Sequence, residues 1–346
     1  MNPYAKLITL TSLALGTTIT TSSNHWAMAW TGLEINTLAI IPMISKSHHP
    51  RAIEATIKYF LVQAAASATI LFSSTINAWT SGQWDITQLT NQTSCLLLTT
   101  AIAIKLGLTP FHFWFPEVLQ GSSLTTALLL STVMKLPPIS ILTLTSNSLN
   151  PYLLTTMAIA SAALGGWMGL NQTQTRKIMA FSSISHLGWM TIIIIYSPKL
   201  TILTFLIYTL MTTSIFLSLN TSNTTKLSTL LTSWTKTPML NTTLMLTLLS
   251  LAGLPPFTGF LPKWLIIQEL TKQEMTPAAL TIALLSLLSL FFYLRLTYFS
   301  SITLPPNPAN QTKHWYTNKP TNTLIAALTP LSTMLLPLSP LIMTTI

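Results

Sequence analysis

Four ionisable side chains lie in the middle of long apolar stretches. Glu34 stands in AWTGLEINTLAI, Lys105 in TTAIAIKLGLTPF, Lys135 in LLLSTVMKLPPIS and Lys263 in FLPKWLII. A charge at the middle of a membrane span costs about 2.5–3.5 kcal/mol on insertion scales, so each of these residues is a functional candidate by default. Burial disfavours the charged form of lysine, whereas a nearby carboxylate favours it. Because moving a carboxylate would then move a proton, the set predicts a proton relay.

Each of these residues also has a structural interpretation. A membrane lysine can extend its stem to the headgroups, but Lys105 and Lys135 lie about ten residues, or ~15 Å of helix rise, from either end of their predicted spans. That distance exceeds the reach of a side chain, which favours a function. Whether Lys263 can extend to the headgroups depends on where its interrupted helix lies in the membrane. The alternative for Glu34 is a buried ion pair with a lysine of another span.

Two histidines are candidates for bridging the lysines, since an imidazole both donates and accepts near neutral pH. His186 is in the middle of a span, in SSISHLGWM, and His112 lies inside FHFWFP. For both, a hydrogen-bonded core histidine remains the alternative. The single cysteine, Cys95, excludes an internal disulfide and a thiolate-held iron–sulfur cluster. The sequence has no phosphate loop or nucleophile elbow, and we expect neither a metal nor a cofactor on this chain.

Other charges lie near the ends of the predicted spans. Glu54 and Lys58 are four residues apart, with Arg51 just before them, and predict an ion-pair cluster at a membrane edge. Glu117 could contact a neighbouring subunit or be an interfacial anion. Arg295, near the end of its span, is expected to extend to the headgroups.

The composition requires a membrane. Only 6% of the 346 residues are charged, against about a quarter in soluble domains, and the mean hydropathy is +0.56. The abundant Thr and Ser are compatible with membrane helices because their hydroxyls can bond to carbonyls of the same helix. The net charge of +10 comes from scattered residues and does not indicate nucleic acid. Eleven apolar segments predict an all-α, polytopic membrane protein, approximately at 3–21, 26–45, 52–79, 95–119, 124–146, 150–171, 175–196, 200–219, 240–270, 277–300 and 323–345.

The distribution of basic residues is consistent with eleven spans. With an odd count the termini lie on opposite sides, and one side keeps only Lys199 and Lys272. The positive-inside rule then places the N-terminus on the side that faces the compartment of synthesis. The basic residues that share this side are Lys6, Lys46, Arg51, Lys58, Arg176, Lys177, Lys226, Lys236, Arg295, Lys313 and Lys319.

An internal repeat links spans four and nine. Residues 107–117 read GLTPFHFWFPE and residues 253–263 read GLPPFTGFLPK. Aligned without gaps, the two segments share five identical pairs: Gly107 and Gly253, Leu108 and Leu254, Pro110 and Pro256, Phe111 and Phe257, and Pro116 and Pro262. Proline interrupts a helix, so both spans should be broken in mid-membrane. Motifs five spans apart predict two inverted five-helix repeats, the pattern of ion-coupled transporters, at 1–147 and 148–302. Residues 303–346 would form a loop and a C-terminal helix.

The sequences WTGLEINTLAIIPM, KLGLTPFHFWFPEV and GLPPFTGFLPKW, together with Lys135 before a proline pair, closely resemble the antiporter-like membrane-arm subunits of mitochondrial NADH-ubiquinone oxidoreductase, respiratory complex I. The resemblance covers the whole chain, and the length and Thr- and Leu-rich composition are similar to the versions encoded in vertebrate mitochondrial genomes. Bacterial relatives have extra N-terminal helices for which this chain lacks room.

The resemblance implies a multi-pass protein of the mitochondrial inner membrane that carries protons while quinone is reduced elsewhere in the complex. It is an enzyme only as part of that H⁺-translocating reductase. Glu34 would pair with Lys105, and Lys135, His186 and Lys263 would continue the relay, with the direction of transfer through Lys263 left open. NAD, FMN, iron–sulfur clusters and ubiquinone would belong to other subunits. The expected partners are membrane-arm and accessory subunits and membrane lipids.

Two alternatives remain. An independent Na⁺ or K⁺/proton antiporter would use the same internal machinery, and only the family resemblance distinguishes it from a subunit of a redox complex. A purely structural membrane scaffold is disfavoured because it does not need four charges in mid-span.

Overall fold

The computed structural model describes residues 2–45, 49–233, 237–302 and 323–340, and within these ranges the chain is helical without a β-strand. Two isolated bridges, between His25 and Asp85 and between Gln174 and Lys226, join loops. The α-helices are α1 Pro3–Ser22, α2 Trp26–Ile44, α3 Pro50–Ser81, α4 Gln92–Leu106, α5 Trp114–Gly121, α6 Leu124–Ser131, α7 Leu136–Leu144, α8 Pro151–Gly169, α9 Thr175–Ile193, α10 Pro198–Ser222, α11 Leu227–Ser233, α12 Pro238–Ala252, α13 Phe260–Lys272, α14 Thr276–Ile302 and α15 Thr323–Met334.

The helix starts follow local sequence signals. Five helices begin with proline at their first position, where the missing N–H is not needed and the fixed φ angle is already helical. Asn150 caps α8 by accepting a hydrogen bond from the Tyr152 N–H at 3.1 Å. Thr and Ser hydroxyls within helices donate to carbonyls three or four residues earlier, as Thr75 does to Phe72 at 2.8 Å. This confirms that the abundant threonine is compatible with apolar helices.

Five segments are long and apolar enough to cross a membrane by length and composition. The remaining predicted spans coincide with other helices, except that the end of the last one, from residue 341 onwards, lies outside the described residues. The five segments are Trp26–Ile44, Pro50–Ser81, Leu124–Leu144, Pro198–Ser222 and Thr276–Ser301.

Both predicted interruptions are confirmed. Helix α4 ends at Leu106 and α5 starts at Trp114, while α12 ends at Ala252 and α13 starts at Phe260. Each first half ends at a glycine with positive φ, 76° at Gly107 and 81° at Gly253, a conformation that glycine adopts without strain.

A third interruption was not predicted. Helices α6 and α7 are separated by a 3₁₀ turn, Val133–Lys135. The cause is the Pro137–Pro138 pair, because neither residue can donate a backbone hydrogen bond to the carbonyls of Val133 and Met134. The turn places Lys135 at a bend of the helix rather than on a regular helical face.

Helix packing depends on small residues. A Cβ atom added to Gly165 of α8 would lie 2.8 Å from the backbone nitrogen of Ser185, and one added to Gly188 of α9 would lie 2.7 Å from the carbonyl oxygen of Ala158. Such contacts bring membrane helices close together. Helix α9 is buried along nearly its whole length and therefore lies at the centre of the bundle.

Two basic side chains bind to α5 and to the residue that follows it. Arg176 donates from Nη1 to the carbonyls of Gln120, at 3.0 Å, and Ser122. Lys58 bridges Glu54 and Glu117 at 2.5 and 2.6 Å, which confirms the predicted edge cluster and adds Glu117 to it.

Arg295 bonds to the end of a neighbouring helix. Its Nη1 donates to the Leu170 carbonyl at 2.5 Å, just beyond the C-terminus of α8. Unpaired carbonyls at a helix end attract a cation, so the guanidinium has a partner in the protein, and its extension to the headgroups stays a prediction.

Candidate functional site

The first candidate lysine lies at the end of a broken helix. Lys105 is in the last turn of α4, and its side chain is only 6% exposed, which rules out extension to the headgroups. Its Nζ is buried and has no hydrogen-bonding partner among the described residues. It lines a cavity of about 20 Å³ together with Tyr59 and Gln63 of α3 and Lys135. A cavity of this size holds one water molecule.

Glu34 does not line this cavity itself, but neighbouring residues of α2 do. The side chain is half-buried on α2, and its Oε2 accepts a hydrogen bond from the Thr37 hydroxyl at 3.1 Å. Thr37 and Leu33 line the cavity. The described residues form three ion pairs within 4 Å, and none of them joins Glu34 to Lys105. The implied pairing of these two residues is therefore not a direct contact here, and a link between them would pass through Thr37 or the cavity.

Lys135 occupies the centre of the molecule. Its side chain is 3% exposed, and its Nζ donates to Tyr208 Oη at 3.4 Å. The ammonium also lies 5.0 Å from the ring centre of Phe115 and 5.1 Å from that of Tyr208. Aromatic faces attract a cation, so the two rings partly replace the water that burial removes.

Tyr208 connects Lys135 to His186. It is 1% exposed on α10, and its ring centre lies 5.4 Å from that of His186 on α9. Sequence reasoning missed this residue, although a tyrosine in the middle of an apolar span is a signal, because its hydroxyl needs a buried partner.

A second cavity of about 20 Å³ lies beyond Tyr208, and it is lined by His186, Trp189, Tyr208 and Lys263. Lys263, in the first turn of α13, donates from Nζ to the Ala252 carbonyl at 2.7 Å. It also lies 5.8 Å from the Trp189 ring centre. The break after α12 leaves that carbonyl without a helical donor, so the lysine satisfies a helix end in the interior.

Gly253 makes room for this lysine. A Cβ atom at that position would come within 2.9 Å of Lys263 Nζ.

His112 lies apart from this row. It is buried in the first interruption, with Nε2 3.5 Å from Met168 Sδ and its ring 4.3 Å from that of Phe113. Its Nδ1 is buried without a partner among the described residues. These contacts do not connect it to the lysines, so the candidate relay role of His112 remains a prediction.

The arrangement is a row of groups that bind protons. Lys105 and Lys135 border one cavity, Lys135 contacts Tyr208, Tyr208 packs on His186, and His186 and Lys263 border the second cavity. Ammonium, phenol and imidazole groups can exchange protons through hydrogen bonds or one water molecule. Within the described ranges, no group of three or more His, Cys, Asp or Glu side chains is gathered as metal ligands would be.

Comparisons with known proteins agree with this architecture. Residues 23–289 match the family described as NADH:quinone oxidoreductase/Mrp antiporter, TM, and residues 290–343 match that described as NADH dehydrogenase subunit 2 C-terminus. The chain is 76% identical over 343 residues to NADH-ubiquinone oxidoreductase chain 2 of Struthio camelus, and 76% identical over 344 residues to that of Gallus gallus, with 99% of each chain covered. The chain therefore belongs to the NADH:quinone oxidoreductase/Mrp antiporter family and, within it, to the NADH-ubiquinone oxidoreductase chain 2 family.

Solved structures share the fold. A chain of respiratory complex I from Thermus thermophilus matches with a TM-score of 0.84 at 24% identity, covering 97% of this chain and 80% of that one. A chain of the Mrp complex from a Dietzia species matches with a TM-score of 0.77 at 18% identity, covering 86% and 60%. At these identities the likeness concerns the fold alone.

Proposed function

We propose that this chain is a membrane-arm subunit of the proton-pumping NADH:ubiquinone oxidoreductase of the mitochondrial inner membrane, assembled with other membrane-arm and accessory subunits. Its relatives with that name are similar over nearly their whole length. NADH oxidation and quinone reduction would take place on other subunits, and this chain would move protons in response.

The observation that carries the proposal is the row through the bundle centre. Each lysine is separated from the next proton-binding group by one hydrogen bond, one ring contact or a cavity of about 20 Å³. Buried ammonium groups repel one another and the charged form is disfavoured by burial. A carboxylate that approaches or leaves Lys105 therefore changes how many protons the row holds, and Glu34, which is hydrogen-bonded to the cavity-lining Thr37, is the candidate for that carboxylate.

The proposal includes a topology of eleven membrane crossings. Two inverted five-helix repeats would occupy 1–147 and 148–302, followed by a loop and a C-terminal helix in 303–346, with the N-terminus in the matrix. Support comes from the two matched breaks and from the cluster of Lys58 and Arg176 contacts at one end of the bundle.

An independent Na⁺ or K⁺/proton antiporter would use the same row of groups, so the chemistry of the row does not separate the two functions. The similarity over nearly the whole length to NADH-ubiquinone oxidoreductase chain 2 favours the subunit. Native gels would separate the two functions, since a subunit of the oxidoreductase migrates in a very large assembly and an independent antiporter as a small oligomer.

Replacing Lys105 by methionine tests the proposed function. The unbranched apolar side chain keeps the packing but cannot bind a proton, so proton-coupled quinone reduction should fall by about tenfold or more, the scale at which one catalytic proton-transfer group acts. Lys226→Met is the control because it removes an exposed charge on a loop. Equal rates in the two variants, at equal amounts of assembled complex, would exclude Lys105 from the relay.

A further inference from the structure

Tyr59 has no assigned role, although it lines the first cavity together with Lys105 and Lys135. It lies on α3, is 1% exposed, and its Oη is buried without a hydrogen-bonding partner among the described residues. Its ring packs edge-on against Trp114, with 5.8 Å between ring centres. Trp114 is itself fixed, because its Nε1 donates to the Ile104 carbonyl at 3.1 Å, next to Lys105. The ring of Tyr59 is therefore held in place at the cavity that Lys105 also lines.

Tyr59 and Lys105 line the same cavity, and Tyr59 Oη and Lys105 Nζ are both buried polar atoms without a protein partner in the described part of the chain. Such atoms are usually satisfied by an ordered water. The volume of about 20 Å³ accommodates one. Gln63, one helical turn after Tyr59, donates from Nε2 to the Lys105 carbonyl at 3.4 Å, so α3 and the end of α4 are fixed relative to each other.

We infer that Tyr59 is a positioning residue, whose hydroxyl holds one water molecule against Lys105 Nζ and so links this lysine to the side of the cavity that faces Glu34. This role rests on the proposed proton relay and adds a residue to it. The phenol stays neutral in this role. It accepts a hydrogen bond from the water or donates one to it, and the proton is exchanged between the water and the lysine. Thr37, which donates to Glu34 and lines the cavity, is the next hydroxyl in that direction.

The inference predicts a pH effect as well as a rate effect. The ionisable groups that face the cavity region are Lys105 from α4, Lys135 from the 3₁₀ turn, Tyr59 from α3 and Glu34 from α2. Without the hydroxyl, the water loses a fixed partner and supports the ammonium of Lys105 less well. The alkaline limb of the pumping rate should then move to lower pH by about one unit, equivalent to a tenfold change in the charged fraction of one lysine.

Tyr59→Phe removes only the hydroxyl and keeps the ring contact with Trp114. The matched control is Tyr196→Phe, which removes one hydroxyl from a half-buried tyrosine beside α9 that does not line either cavity. Both variants would be studied in the assembled complex. The measurements are the rate of proton pumping between about pH 6 and 9, a range in which a buried lysine can titrate, and a high-resolution density map of the cavity.

In the wild-type protein we expect density for a water between Tyr59 Oη and Lys105 Nζ, and in Tyr59→Phe we expect that density to be lost and the alkaline limb to shift. A Tyr59→Phe profile that overlays the Tyr196→Phe profile would overturn the inference, as would a wild-type cavity without water density. Lys105→Met keeps the two proposals distinguishable. If it stops pumping while Tyr59→Phe behaves as the control, only the role of Tyr59 fails, whereas normal pumping in Lys105→Met overturns the proposed function itself.

Discussion

Replacing Tyr208 by phenylalanine should interrupt the row at its centre. The hydroxyl of Tyr208 accepts the hydrogen bond from Lys135 Nζ at 3.4 Å, and the ring contacts His186. Phenylalanine keeps the ring, so the packing on His186 and the cation–π contact with Lys135, at 5.1 Å, should persist. The substitution therefore tests the proposed role of one oxygen atom in passing a proton from Lys135 to His186.

The magnitude follows from that one bond. Hydrogen bonds to charged groups contribute about 1.5–3 kcal/mol, and a separation of 3.4 Å indicates the lower end, about 1.5 kcal/mol. If transfer from Lys135 to His186 limits turnover, this corresponds to about a tenfold slower pumping rate. Phe115→Leu removes the other ring above Lys135 but keeps the hydroxyl, so its loss should be smaller, about threefold for a contact of roughly 0.5–1 kcal/mol.

The assay is the initial rate of NADH-driven proton uptake into membrane vesicles, divided by the amount of assembled complex measured on native gels. Tyr196→Phe serves again as the hydroxyl-loss control. Pumping in Tyr208→Phe at the rate of that control would refute the role of the hydroxyl. A greater loss in Phe115→Leu than in Tyr208→Phe would show that packing around Lys135, rather than the hydrogen bond, limits the rate.

Two further predictions concern stability and topology. Gly188→Ala should destabilise the α8–α9 contact by about 1–3 kcal/mol, because the added Cβ would lie 2.7 Å from the Ala158 carbonyl oxygen and backbone atoms cannot move away easily. After heating, less intact complex should therefore remain than in the wild type. Gly82→Asn, at a position with no atom within 4 Å of a Cβ and a φ of 71° that asparagine tolerates, should match wild type, and equal thermal stability of the two variants would contradict this reasoning. For topology, with the native cysteine replaced by serine, Lys226→Cys should react with an impermeant thiol reagent only from the matrix side and Lys272→Cys only from the opposite side. The reverse pattern would invert the proposed orientation.

The two matched helix breaks can be predicted from the sequence because backbone chemistry causes them. The proline and glycine positions in the two related motifs are sufficient to predict interruptions between residues 106 and 114 and between residues 252 and 260. The Pro137–Pro138 pair is a signal of the same kind for the third break, because it removes two backbone donors. Local sequence thus determines where these helices end.

Contacts between helices were harder to predict. Tyr208 and Tyr59 look like ordinary core aromatics in the sequence, and only the structure brings them to Lys135 and Lys105. The distance between Glu34 and Lys105 also depends on how α2 and α4 pack, so a pairing expected from family resemblance could not be resolved as a direct or an indirect contact. The carbonyl that Arg295 bonds to belongs to another helix, which hydropathy alone cannot reveal.

Lys105 and Lys263 lie on opposite sides of their helix breaks, and this difference has a mechanistic consequence. In register, Lys263 aligns with Glu117, whose carboxylate pairs with the exposed Lys58 at the surface. Lys105 precedes its break and has no protein partner among the described residues, whereas Lys263 follows its break and is bound to the Ala252 carbonyl at 2.7 Å. The charge of Lys105 therefore depends on what enters its cavity, while a helix end already stabilises the charge of Lys263. A change in electric field near Glu34 should thus alter the proton occupancy of Lys105 first, and Lys263 should respond only through Lys135, Tyr208 and His186.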